Sequence, residues 1–223
     1  MERVAGNLKE EYDEADELAG GSLSSEWVAA KVIGRWQDGT PLIGNKTCPL
    51  DIPLDKTPHN DFTYGEDDPR GYACPLGSHI RRTNPRDSME PGNKEEQLIT
   101  NRHRLLRRGR SYEYKVTSTT KGKSEKKKGL LFMSICGDLE RQFEFVQRTW
   151  INKTSFHGLK NEHDPLMGGP VATSNIEGNA YTIPTPSGPL HIPDLKSFIT
   201  LQGGGYFFMP SRASLAFLIN RSR

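Results

Sequence analysis

Apolar residues keep a helical rhythm near both ends of this chain, and extended apolar runs lie between. Trp27, Val28, Val32 and Ile33 recur at the spacing of one helix face, and Ser24 or Ser25 can cap that helix. Before it, residues 8–18 are rich in Glu and Asp and suit a solvated helix, which Gly20 and Gly21 end. Residues 103–107 and 112–117 read as two strands, and residues 121–128 as a basic, solvated hairpin tip. Residues 129–136 read as a buried strand. Residues 138–150 read as a helix with Phe143, Val146 and Trp150 on one face, and Trp27 and Trp36 read as core. Residues 198–201 and 206–209 can be strands meeting around Gly203, Gly204 and Gly205. Ser211 can cap a closing helix with Leu215, Leu218 and Ile219 on its apolar face.

Three stretches break this pattern. Residues 37–73 carry Pro41, Pro49, Pro53, Pro58 and Pro69 with several Gly and Asp, and read as a long loop. Residues 87–96 are polar, and residues 152–192 are again rich in Gly and Pro. Asp67 and Asp68, ahead of a proline, read as a turn rather than a metal site.

Composition narrows the class. The 223 residues suffice for one sizeable domain, and the 34% apolar fraction agrees with extensive surface loops. Thirty basic and 28 acidic side chains leave a net charge of +2, which argues against a dedicated nucleic-acid binder. Three widely spaced cysteines, Cys48, Cys74 and Cys136, include no CxxC pair, so neither a zinc site nor a disulfide framework is indicated. Residues 1–20 are acidic and lack the apolar stretch of a signal peptide, and no apolar run reaches the roughly 20 residues of a membrane helix. A cytoplasmic protein with no membrane partner is expected.

The candidate chemistry gathers in residues 74–86, CPLGSHIRRTNPR. A small-residue turn presents His79, Pro75 can open a short helical turn, and arginines follow. A histidine that can carry a metal, beside arginines that can pair with carboxylates, is what a heme site requires. Taken singly, a histidine beside arginines is more often a solvated basic loop. Of the other histidines, His103 lies in a candidate strand beside arginines, and His59, His157, His163 and His191 sit in loops.

The wording of this stretch resembles the proximal-heme segment of the dye-decolorizing peroxidase family. Residues 26–36 (EWVAAKVIGRW), 106–109 (LRRG), 129–132 (GLLF) with 142–144 (QFE), and 203–208 (GGGYFF) resemble that family in the same order. The resemblance implies an α+β fold, a ferredoxin-like antiparallel sheet with helices on one face and long loops, over residues 1–223 as a single C-terminal domain. It implies heme b, with His79 as the proximal iron ligand and Asn84, Pro85 and Arg86 in contact with the heme. Arg107 matches the family's distal arginine, with Arg108 the alternate. Asp164 matches a stretch that could supply the carboxylate to His79, with Glu144 as runner-up. Hydrogen peroxide and a small aromatic, dye-like or phenolic reductant are the implied partners.

The sequence also departs from the family. Its GxxDG motif, whose Asp is the distal acid–base group, does not occur here. An N-terminal ferredoxin-like domain and the first strand of the second domain are expected to be missing. Two functions follow: a peroxidase with impaired activity, or a non-catalytic heme-binding half that needs a separate N-terminal half. A homo-oligomer and a gene fragment are further expectations.

Overall fold

The computed structural model of the protein describes residues 24–44, 60–90, 93–117, 124–168, 179–195 and 198–221. The acidic segment 8–18, Cys48 and His59 lie outside the described residues, as do residues 121–123 of the expected basic tip.

Helix α1, Ser25–Ile33, begins where Ser24 accepts a hydrogen bond from the Trp27 N–H, and it ends at Gly34 with φ of 97°. That left-handed backbone suits glycine at a helix C-cap. Val28 and Val32 on its buried face pack on a hairpin made of β3, Asn179–Ile183, and β4, Leu190–Leu195. Tyr181, Ile183, Leu190, Ile192 and Leu195 complete this core. The Tyr181 hydroxyl donates to the Lys31 carbonyl at 2.7 Å, so the polar tip of a buried ring has a partner. This hairpin falls largely inside the stretch read as loop, 152–192: only five or six residues per strand stand between Gly/Pro-rich flanks.

Three short helices follow along the chain: α2, Tyr64–Asp67, α3, His79–Thr83, and α4, Lys94–Asn101. Pro75 stands outside α3, in the turn before it, where its carbonyl accepts from the Ser78 N–H at 3.0 Å. Helix α4 takes up part of the expected loop at 87–96, because Asn93 caps it through the Glu95 N–H.

Strands β1, Leu106–Thr117, and β2, Ser124–Ile135, form a long antiparallel hairpin with Leu106 opposite Ile135 and Thr117 opposite Ser124. The single strand β1 replaces the two expected at 103–107 and 112–117, and His103 lies in the turn ahead of it. The expected burial of 129–136 is not found: Leu130 is 67% exposed, and Leu131, Phe132, Met133 and Ile135 are exposed as well. Among the described residues this sheet has only two strands, and Tyr112 and Tyr114 of β1 are exposed too.

Residues 140–151 coil as wider, π-helical turns, Glu140–Glu144 and Val146–Ile151, with i to i−5 bonds such as Asn152 N–H to Gln147 O at 3.0 Å. Val146, Trp150, Ile151 and Phe156 form a second core cluster, and Phe143 turns instead toward Tyr206. A third joins Ala30, Trp36 and Leu42, so Trp36 is core and Trp27 packs at its margin. Residues 198–201 and 206–209 are not strands but exposed, irregular chain. The last helix, α5, Arg212–Arg221, starts at Ser211, whose Oγ accepts from the Ser214 N–H, but its apolar residues are exposed. The class is α+β, with its antiparallel pairing present as two hairpins.

Candidate functional site

His79 is the first residue of α3. Ser78 takes the extended N-cap backbone, and its hydroxyl turns to the Cys74 thiol at 3.2 Å instead of capping. The helix lasts five residues because Pro85 follows and pushes Asn84 out of helical backbone, to φ −150° and ψ 77°. Its last turn is closed by Asn84 N–H to Ile80 O and by the Thr83 hydroxyl to His79 O, both 2.9 Å.

The structure brings His79 and Asp164 together. His79 Nδ1 lies 2.9 Å from Asp164 Oδ2; the His79 side chain is 26% exposed and the Asp164 side chain 0%. The other carboxylate oxygen, Oδ1, accepts from the Leu166 and Met167 N–H groups at 2.9 and 2.8 Å. Three bonds therefore fix the carboxylate. Because it accepts from Nδ1–H, the lone pair of the imidazole is left on Nε2. Glu144 stands elsewhere, beside the Tyr206 hydroxyl, whose pKa it raises.

Two adjacent arginines hold α3 in place. Arg82 is fully buried and donates only to carbonyls: Nε to Gly77, Nη1 to Trp150 and Lys153, and Nη2 to Glu162. Arg81, also buried, reaches Asp68 Oδ2 at 3.2 Å and the carbonyls of Asp68 and Cys74, and lies 4.3 Å over the Tyr64 ring. Burial lowers both guanidinium pKa values, and nearby carboxylates oppose that. The Cys74 thiol is buried and its pKa is pushed up by that burial, so it is an unreactive packing group.

Arg86 sits at φ 53°, unusual for a residue with a side chain. Its Nη1 donates to the carbonyls of Asn60 and Phe62, and its guanidinium lies 3.8 Å from the Phe62 ring centroid. Pro85 is buried, and Asn84 Oδ1 is buried without a hydrogen-bond partner. Arg107 is exposed on β1 opposite Ser134, and its neighbour Arg108 lies opposite Met133. Successive strand residues face opposite sides, so these two arginines point apart. His103 has a packing role: its ring stacks 3.9 Å from Phe145, and its Nδ1 meets the Arg141 carbonyl at 2.6 Å.

The model of the family described as Dyp-type peroxidase, C-terminal, matches residues 28–169. The chain belongs to the dye-decolorizing peroxidase family. It is 34% identical over 217 residues to the multifunctional dye peroxidase DyP2 of an Amycolatopsis species, covering 92% of this chain and 44% of that protein. It is 31% identical to the dye-decolorizing peroxidase of Mycena epipterygia, over 86% of this chain and 40% of that one. The crystal structure of a DyP-type peroxidase from Anabaena superposes with a TM-score of 0.58 at 26% identity, over 85% of this chain and 38% of its own. The chain thus spans about two-fifths of the length of these relatives.

The residues of the site fit the heme of this family. An imidazole whose Nδ1–H is held by a buried carboxylate, with Nε2 free to donate, is the arrangement of an axial ligand and its orienting partner. Sequence reasoning missed the Asp68–Arg81 pair and the carbonyl clamp around Arg82. Two adjacent arginines directly after the histidine were the available signal.

Proposed function

We propose that this chain is the heme-bearing part of a dye-decolorizing peroxidase. In this reading His79 Nε2 would ligate the iron of heme b, Asp164 would orient the ring, Asn84, Pro85 and Arg86 would line the heme, and Arg107 would act on the peroxide. The observation that carries it is the 2.9 Å contact between His79 Nδ1 and the wholly buried Asp164. When bound, the heme supplies the redox chemistry by which hydrogen peroxide oxidises a dye-like or phenolic donor. This chain's residues would hold and orient it, and the Arg107 guanidinium would stabilise charge that develops on a peroxide. A GxxDG acid–base group is not among these residues, so turnover by the chain alone is expected to be low.

A second reading is a heme-binding half that works only beside a separately made N-terminal half. The exposed apolar side chains of β2 favour it. Heme titration followed by the Soret band tests the first reading, with His79→Ala against His103→Ala. Loss of heme in His79→Ala alone is expected; loss in His103→Ala alone would sink it. Peroxide-driven dye oxidation by the heme-loaded chain, with Arg107→Ala and Arg108→Ala compared, then separates the two readings. Heme binding without any turnover favours the second.

A further inference from the structure

We infer that Arg82 is a positioning residue that ties α3 to the Asp164 loop and so sets the hydrogen bond between His79 and Asp164. The inference rests on the heme reading above for its consequence, but not for its geometry. Arg82 stands three residues after His79 on the same short helix, and Glu162 stands two residues before Asp164. Arg82 Nη2 donates to the Glu162 carbonyl at 2.9 Å, while His79 donates to Asp164 at 2.9 Å. Helix and loop are therefore joined at two points.

The rest of the guanidinium is committed in the same way. Nε takes the Gly77 carbonyl at 3.2 Å, and Nη1 takes those of Trp150 and Lys153 at 2.8 and 3.1 Å. The Phe156 ring lies beneath it, 5.0 Å away. The four carbonyls come from the turn before His79, from the end of the π-helical segment and just beyond, and from the run that carries Asp164. A planar fork of five N–H groups can meet three segments at fixed angles. A lysine ammonium, a point with three donors, cannot.

None of these hydrogen bonds goes to a carboxylate. The charge of Arg82 is left facing Asp164 and Glu162 through space, and these are the acidic groups it senses most. Arg82 thus acts on His79 through Asp164, by placing the loop and by stabilising the anion that receives Nδ1–H. A weaker bond to Asp164 makes Nε2 a weaker donor to iron.

The test uses the full chain with Arg82→Lys, and Asp164→Asn as the reference for a broken bond. Without heme, the His79 Nδ1–H proton is followed by NMR and assigned by its loss in His79→Ala. It should move upfield or broaden in Arg82→Lys. An unchanged resonance overturns the inference. If Arg82→Lys does not fold, Phe156→Leu removes the ring under the guanidinium, and the same resonance should move in the same direction; no movement overturns it.

With heme, the ferrous iron–imidazole stretch in resonance Raman should fall in Arg82→Lys toward its position in Asp164→Asn. A purely structural arginine would lower the melting temperature and leave both signatures in place, which also overturns the inference. Failure of the wild-type chain to bind heme would sink the proposed function, while the proton resonance would still decide the role of Arg82.

Discussion

Removing the Asp68 carboxylate should unfold a large part of this protein's stability. Asp68 is 5% exposed, and its two oxygens accept from the Ala73 N–H at 3.1 Å, the Cys74 N–H at 2.8 Å and Arg81 Nη1 at 3.2 Å. Asp68→Ala leaves a guanidinium that is 1% exposed without its carboxylate, and Nε and Nη2 of Arg81 already lack hydrogen-bond partners. Breaking a buried pair from one side costs roughly 3–5 kcal/mol. The two freed N–H groups would add about 1–3 kcal/mol each if water did not reach them. A loss of about 4 kcal/mol is expected, against a typical total of about 5–15 kcal/mol.

The pair itself is not a net source of stability. Burial raises the Asp68 pKa above its ordinary 3.8, and the Cys74, Ala73 and Arg81 contacts only partly oppose this. Between 3.8 and that raised value the folded state binds more protons than the unfolded state. Ionising Asp68 therefore lowers stability as pH rises through this window. It follows that Asp68→Leu with Arg81→Met should lie closer to wild type than either single change, as buried pairs replaced by apolar residues often do. Equilibrium urea unfolding at pH 7 reads both: the midpoint of Asp68→Ala should fall by about 2 M for a typical slope near 2 kcal/mol per M. A single variant within about 1 kcal/mol of wild type, or a double variant equal to the sum of the singles, would refute the reasoning.

Lys31 is buried, donates to the Tyr72 and Ala73 carbonyls at 2.7 Å, and has its pKa lowered from 10.5 to about 8, mainly by burial. Between pH 8 and 10.5 the unfolded state binds the extra proton, so wild type should gain on Lys31→Met by up to about 1.4 kcal/mol per pH unit, read from urea midpoints at stepped pH. Gly34→Ala would place a Cβ 2.9 Å from Ser78 Oγ, 3.1 Å from Cys74 Sγ and 3.2 Å from Ile80 Cβ, at φ of 97°. Left-handed strain of roughly 1–2 kcal/mol and overpacking of about 1–3 kcal/mol should lower its melting temperature by several degrees in a circular-dichroism melt. In hydrogen exchange, the amides of Val28, Val32, Tyr181 and Ile183, which lie in a buried core, should outlast those of Leu130–Ile135, whose apolar side chains are exposed. Equal protection would show that β2 is covered.

The elements legible in the sequence were those whose side-chain pattern matches their burial. Trp27, Val28 and Val32 repeat at helical spacing because that face meets β3 and β4, and Ser24, one of the two residues read as its cap, marks the start by cap chemistry alone. The β3–β4 hairpin was not legible, since its strands are short and Pro184, Pro186 and Pro189 stand in and beside its turn. Residues 129–136 failed in the opposite sense. Their apolar run identifies a strand, but a run of Leu, Phe and Met says nothing about whether neighbouring strands are there to cover it. At the site, the stretch CPLGSHIRRTNPR marked His79 and the resemblance singled out Asp164. Which arginine is buried against which carbonyls depends on contacts about 70 to 80 residues away in sequence, such as Arg82 with Trp150 and Glu162, and no local pattern encodes that.

The two parts of the molecule are held by different forces, and this bears on function. Around His79 the buried groups are charged or polar: Arg81, Arg82, Asp68, Glu162 and Asp164, each tied to backbone atoms. Such an arrangement adds little net stability, because desolvation offsets most of the attraction, but every bond in it has a direction. Apolar packing is non-directional and would let the imidazole rotate. Beyond that network the balance reverses. Leu130, Phe132, Phe207 and Met209 hold apolar side chains in the open. In the second reading above, this apolar surface is where the separate half would dock. The geometry that orients His79 is therefore built from bonds that do not involve the β1–β2 hairpin, and covering or uncovering that hairpin leaves the His79–Asp164 contact in place.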